Sequence, residues 1–231
     1  MNKQKDRNEK NDKNELLGRI AALPGDWHGA GCLSGNVIEA IYDYTTRGKC
    51  DFSLETGVGK STLILSHTSK SHFAFAADFG GSLKKTKESD LLNPGVVTFV
   101  EGRCQQTVPQ FIFEQAIDFA LIDGAHAYPF PELDYYYIYP HLREGSIMVV
   151  DDIHIPTIHN FFRFLKEDAM FSLDRVVDTT AFFRRSSAPT FDPLGDGWLH
   201  QGYNKRFFPV PITDSKGKFV SYTSPDAPKP F

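Results

Sequence analysis

Short apolar runs recur along this chain, separated by stretches whose apolar residues return every three or four positions. The runs at Phe52–Leu54, His72–Ala77, Val96–Val100, Ile117–Ile122 and Gly145–Val150 predict five buried strands. The intervening periodicity predicts helices over Ser61–Ser69, Lys84–Leu92, Thr107–Gln115, Pro131–Leu142 and Thr157–Glu167. Two further strands, Phe171–Val177 and Thr180–Arg185, are separated by little more than Asp178 and read as an antiparallel pair finishing the sheet. Strands alternating with helices predict an α/β fold, a doubly wound Rossmann-like sheet that is mostly parallel.

The flanks read differently. Residues 1–14 are polar and of mixed charge, without apolar periodicity, and predict a disordered tail. Residues 15–50 predict a helical addition that could roof the site: a short helix stopped by Pro24-Gly25, then an amphipathic helix with Val37, Ile38, Ile41 and Tyr42 on one face. Residues 51–185 form the predicted core. Residues 186–231 are rich in Pro and Gly and predict an irregular extension with Trp198, Tyr203, Phe207 and Phe208 as anchors.

The first strand runs into Glu55-Thr56-Gly57-Val58-Gly59-Lys60-Ser61-Thr62. Two glycines at a strand-to-helix turn permit close approaches and aim free backbone N–H groups over the strand end. In an open parallel sheet, ligands bind there. A phosphate loop needs glycine where this chain has Leu54, so a nucleoside triphosphate is excluded. A dinucleotide fingerprint fits Gly57 and Gly59 but finds Thr62 at its third position. Asp78 follows Gly57 by about 20 positions, the spacing of a carboxylate that accepts ribose hydroxyls.

Two neighbouring strand ends carry acids. One runs Asp123-Gly124-Ala125-His126; the other runs Asp151-Asp152-Ile153-His154. Carboxylates crowded at one sheet edge raise each other's pKa, and a divalent cation relieves that repulsion. Oxygen ligands favour Mg²⁺, Mn²⁺ or Ca²⁺ over zinc. Aspartates after strands also cap helices, so Asp151 or Asp152 has that role open to it. His126, three residues after Asp123, is the histidine placed for proton transfer; His72 and the remaining histidines outside these loops read as structural or exposed.

Composition narrows the partners. A net charge of −4 gives no electrostatic case for nucleic acid. Three scattered cysteines support neither a disulfide framework nor a zinc knuckle, and a reducing cytoplasm is the simpler location. The chain shows no apolar run of membrane-spanning length, which predicts no membrane partner. Of 20 phenylalanines, several cluster after residue 160, where they suit an aromatic lid or a homo-oligomer contact as well as core.

Three motifs, Leu54–Thr62, Leu121–His126 and Val149–Pro156, together resemble the class I S-adenosylmethionine-dependent methyltransferases, and within them the catechol-type and macrolide sugar O-methyltransferases. The resemblance covers roughly Gly35–Arg185 and implies a seven-stranded sheet with an antiparallel last strand. It implies S-adenosylmethionine over Glu55, Thr56, Gly57, Gly59 and Ser61, with Asp78 on the ribose, Gly102, Arg103 and Cys104 near the adenine, and Asp123 alongside. It further implies Asp123, Asp151 and Asp152 as metal ligands, His126 as base, and a small-molecule hydroxyl as acceptor. Many relatives with a similar first motif use no metal. A metal-independent methyltransferase, a nicotinamide oxidoreductase and a non-catalytic cofactor-binding protein are the rival readings.

Overall fold

The computed structural model describes residues 13–25, 27, 31–191, 195, 201–203, 212–213, 216 and 219–220. The predicted tail lies outside the described residues up to residue 12, and so do most of the residues after 191, with Trp198, Phe207 and Phe208 among them. Lys13 and Asn14 already belong to the first helix, α1, at residues 13–21.

Helix α2 (Gly35–Gly48) starts where the Ser34 hydroxyl accepts from the Val37 N–H and stops at Lys49, whose backbone is left-handed. Then come β1 (Cys50–Thr56), α3 (Lys60–Thr68), β2 (Ser69–Ala76), α4 (Ser82–Lys87), β3 (Val97–Glu101), α5 (Cys104–Thr107), β4 (Ile117–Ile122), α6 (Phe130–Ile138), β5 (Leu142–Val150), α7 (Pro156–Glu167), β6 (Phe171–Val177) and β7 (Thr180–Arg185). The seven strands form one sheet in the order β3-β2-β1-β4-β5-β7-β6. Pairings from β3 to β5 are parallel, and β7 runs antiparallel to both β5 and β6. The chain starts at β1 in the middle and winds outward on both sides, which opens a crevice at the carboxyl ends of β1 and β4. A separate two-residue pairing joins β8 (Ile212–Thr213) to β9 (Phe219–Val220).

Both sheet faces are buried, as a parallel sheet between helices requires. Along β5, Met148 and Val150 face the layer that contains Tyr135, Ile138, Phe161 and Leu165, while Ile147 and Val149 face Val37, Ile41, Leu63 and Leu65. Helix α2 therefore forms part of a layer on the sheet face, where its apolar stripe is covered, and does not roof the strand ends. The helix expected over Thr107–Gln115 is instead a short α5 followed by a 3₁₀ turn, Val108–Gln110. Pro109 cannot donate to a continuing helix, and extended chain follows it. Among the described residues, no helix is long and apolar enough to cross a membrane.

Candidate active site

The glycine turn after β1 stands on a buried polar network. Glu55 is 1% exposed. Its carboxylate accepts from Ser61 Oγ at 2.5 Å, from the Thr62 hydroxyl, and from His72 Nε2 at 3.1 Å. His72 Nδ1 lies 2.8 Å from Ser53 Oγ, which in turn meets Ser69 Oγ at 2.7 Å. The Gly59 N–H donates to Thr62 Oγ1 at 3.0 Å, which satisfies a donor at the helix start. Glu55 and Ser61 are thus turned inward and fix the turn from below. His72 belongs to the same network and is more than a core histidine. The signal for it was a histidine inside a strand whose neighbour in the sheet carries Ser53 and Glu55.

Gly57 has φ +94°, and a Cβ there would lie 2.3 Å from the Asp123 carbonyl oxygen. Its glycine character therefore serves the contact between the β1 turn and the post-β4 loop. Gly102 has φ +137°, and a Cβ would meet Thr107 Cγ2 at 2.8 Å. Arg103 precedes α5 and Cys104 opens it, with the Cys104 side chain buried. Asp78 lies two residues beyond β2, where its Oδ1 accepts from the N–H groups of Leu83 at 3.0 Å and Lys84 at 3.4 Å. It braces the start of α4, a role that leaves Oδ2 free of these bonds. Lys60 is turned away from the crevice, and its Nζ donates to the Leu23 carbonyl at 2.9 Å.

The two acid loops converge. Asp123 N–H donates to the Thr56 carbonyl at 3.1 Å, and Asp151 N–H donates to Ile122 at 3.2 Å, so each loop begins as a continuation of sheet pairing. The Thr157 hydroxyl donates to the His126 carbonyl at 2.6 Å and ties the loops together. Asp123, His126 and Asp152 each offer a ligand atom within 4.8 Å of the others. His126 Nε2 stands 3.3 Å from Asp152 Oδ2 and 3.7 Å from Asp123 Oδ1. Asp152 reaches this position with φ 55°, an uncommon conformation for a residue with a side chain. Asp151 does not join them: it is buried, and its Oδ1 accepts from the Thr180 hydroxyl. The expected trio of carboxylates is replaced by two carboxylates and an imidazole. His154 is exposed, with Nδ1 3.6 Å from Asp152 Oδ1.

The electrostatics follow from this crowding. Desolvation pushes Asp123 up to about 7; the Asp151 and Asp152 charges add to the rise, and His126 opposes it. The Asp123 carboxylate beside His126 holds that imidazole above the ordinary histidine range, against its own desolvation. Burial raises Asp151, and the Thr180 hydroxyl partly offsets the rise. Among the described residues, His126 Nε2 is enclosed yet has no hydrogen bond of good geometry. An orphaned buried nitrogen facing two carboxylate oxygens fits either a proton shared with them or a cation held by them.

A family model described as a methyltransferase domain matches residues 54–153, the stretch that holds the glycine turn and both acid loops. The fold agrees with solved methyltransferase structures at low identity. A Klebsiella pneumoniae protein described as an O-methyltransferase superposes with a TM-score of 0.61 at 15% identity, over 74% of this chain and 90% of that one. TomG from Streptomyces achromogenes, an O-methyltransferase of tomaymycin synthesis solved with S-adenosylmethionine, gives 0.58 at 15% identity over 75% and 90%. An O-methyltransferase from Bacillus cereus, solved with S-adenosylhomocysteine, gives 0.56 at 15% identity, also over 75% and 90%. No curated protein matches the sequence. The glycine turn and the acid loops thus stand as two halves of one crevice, in contact at Gly57 and Asp123. Asp134, which the sequence reading passed over, lies beneath that crevice; its signal was a lone acid in the apolar run Leu133–Ile138.

Proposed function

We propose that the protein is an S-adenosylmethionine-dependent methyltransferase acting on a hydroxyl oxygen of a small molecule. One observation carries the reading: His126, with an unbonded Nε2, faces Asp123 and Asp152 on the loop that touches the glycine turn at Gly57. The donor-bound state of TomG and the O-methyltransferase names of the neighbours support it.

The donor would lie over Thr56, Gly57 and Gly59, with Asp78 toward its ribose, Gly102 to Cys104 toward its adenine, and Asp123 alongside. Bound there, S-adenosylmethionine supplies an electrophilic methyl group on a positively charged sulfur. Glu55 and Ser61 contribute from below, by holding the turn. The protein's main task is then alignment of the acceptor oxygen, because in-line geometry accounts for much of such a barrier. His126 is in place to take the hydroxyl proton at Nε2. The neutral imidazole is the competent form, so activity rises as pH climbs through the elevated His126 pKa.

The donor set also suits a hard divalent cation. Asp123 and Asp152 would hold Mg²⁺, Mn²⁺ or Ca²⁺, and Asp151 would join them only by releasing Thr180. Bound there, the cation would lower the pKa of the acceptor hydroxyl. The test is calorimetry with S-adenosylmethionine followed by a screen of catechols, sugars and glycosides, each with and without chelator. Donor binding and O-methyl product are expected, with turnover lost on chelation. Full turnover after chelation would establish the metal-free mechanism. Binding of a nicotinamide dinucleotide in place of the sulfonium donor would overturn the reading.

A further inference from the structure

Asp134, the fifth residue of α6, is a buried carboxyl near the crevice. It is 1% exposed, and neither carboxyl oxygen has a hydrogen bond of good geometry among the described residues. Leaving such a group unpaired is unfavourable, and an apolar residue of similar size would avoid that. Its neighbours on the helix, Tyr135 and Ile138, belong to the apolar layer.

The carboxyl points at a junction of three strand ends. A Cβ built on Gly124 would lie 3.1 Å from Cys104 Sγ, 3.2 Å from Asp134 Oδ2 and 3.3 Å from Thr56 Oγ1. Thr56 closes β1, Cys104 opens the helix after β3, and Gly124 follows β4. Gly124 is also the residue between Asp123 and the segment that carries His126. The Thr56 hydroxyl already accepts from the Asp123 N–H at 3.3 Å. The backbone of the acid loop therefore rests on a small polar floor whose central member is Asp134.

We propose that Asp134 is a positioning residue for methyl transfer: its carboxyl seats the Asp123–His126 loop, through Gly124, against the ends of β1 and of the β3–α5 turn. The chemistry of the floor agrees. Burial pushes Asp134 up to about 7, against the nearby Thr56 hydroxyl and Cys104 thiol. Burial also pushes the Cys104 thiol up to about 12, which keeps it an S–H donor. With the hydroxyl and thiol uncharged, Asp134 is the one member of the floor whose ionisation would add charge beneath Asp123. The inference rests on the methyltransferase reading for its purpose and on the protein alone for its geometry.

The experiment compares Asp134→Leu and Asp134→Asn with the wild type. Three quantities are measured: melting temperature, hydrogen exchange of the Asp123 amide, and kcat beside donor affinity. The Leu variant should melt no lower than wild type, because an unpaired carboxyl has been removed. Its Asp123 amide, which bonds to Thr56, should exchange about tenfold faster, the worth of one hydrogen bond. Its kcat should fall by at least that factor, with donor affinity unchanged. Asn, which keeps a polar group beside the Thr56 hydroxyl and the Cys104 thiol, should restore both. Unchanged exchange and turnover in the Leu variant would overturn the proposal. So would a large fall in melting temperature shared by both variants, with faster exchange throughout the β5–β7 pairing, since Asp134 would then serve general stability. The exchange measurement needs neither donor nor acceptor. Faster Asp123 exchange in a protein that methylates nothing would leave the seating standing and remove the methyltransferase reading.

Discussion

The two sides of the crevice are built on opposite principles. Under the glycine turn, Glu55 has three donors, His72 uses both ring nitrogens, and Thr62 serves both Glu55 and the Gly59 N–H. Around the acid loops, His126 Nε2 and both Asp134 oxygens lack good partners among the described residues, and three aspartates, Asp123, Asp134 and Asp151, have raised pKa values. A fully satisfied buried network rigidifies, whereas a partly satisfied one stores cost at a place where chemistry needs free valences. The comparison assigns stability to the first side and reactivity to the second. It also predicts that mutations on the two sides fail in different ways.

The largest effect belongs to the reactive side. His126→Ala should lower turnover on the order of 10²–10⁴-fold, the usual size of a general-base contribution, with the melting temperature nearly unchanged. Steady-state kinetics with an accepted substrate, beside a thermal melt, checks both halves. A variant that melts much lower while turning over normally would erase the contrast between the two sides.

The opposite signature is expected under the glycine turn. Glu55→Ala leaves two hydroxyls and one imidazole buried without their acceptor, at about 1–3 kcal/mol for each unsatisfied group. Denaturant unfolding should therefore show a loss of several kcal/mol, and donor binding should weaken with it. An Ala variant as stable as the wild type would mean that the network is dispensable. His72→Ala should produce a smaller version of the same loss, because it removes one donor and leaves Ser61 and Thr62 in place.

A pH series sharpens the contrast further. Asp123 and Asp134 have folded values near 7, above the unfolded carboxylate value of about 4. The folded protein thus binds more protons than the unfolded chain between those values. That contribution to stability is fully present below about pH 4 and is lost as pH rises through about 7. His126, also raised, adds a loss of the same sign above its unfolded value near 6.5. The metal-free protein should melt several degrees lower at pH 8 than at pH 6. Asp134→Asn should flatten part of that slope. A melting temperature that climbs from pH 6 to 8 would contradict the assignment of cost to the acid side.

These assignments divide along what one dimension of sequence can carry. The central strands were legible because burial on both faces leaves apolar runs of strand length, and the antiparallel pair at Phe171–Arg185 because only a short break at Asp178 separates its strands. The glycine turn and both acid loops were legible because local spacing fixes a strand-to-helix turn. Contacts across the sheet were not. Glu55 meets His72 because β1 pairs with β2 in the register Glu55↔Ala74, which no local pattern specifies. Asp151 was read as a ligand through the resemblance, which implies two ligands after the fifth strand; in the fold its Oδ1 is taken by the Thr180 hydroxyl on β7, a contact across the sheet that local spacing does not carry. Helix ends were misjudged where Pro109 and Pro140 convert the chain to 3₁₀ turns. The roof expected from α1 and α2 became a face layer because Val37, Ile38 and Ile41 needed a partner, and the sheet offered one.

Lys60 provides the smallest effect and the finest test of the comparison. The Gly59-Lys60-Ser61-Thr62 run looks like a phosphate grip, yet the lysine is only 8% exposed and its ammonium reaches the Leu23 carbonyl near the end of α1. A charged donor on a backbone carbonyl is worth about 1.5–3 kcal/mol at most, and the ammonium pays desolvation against it. Lys60→Met keeps the apolar stem and removes only the charged tip. It should therefore destabilise by about 1 kcal/mol, seen as a small shift of the denaturant midpoint, because Leu23 can recruit water at the helix end. Donor affinity should stay the same, since the side chain leaves the turn on the side away from the crevice. Loss of donor binding in Lys60→Met, or ATP hydrolysis that depends on Lys60, would place the lysine inside the crevice. The satisfied side of the site would then include a ligand-binding charge, and the division between a stable turn and a reactive pair of loops would fail at its firmest point.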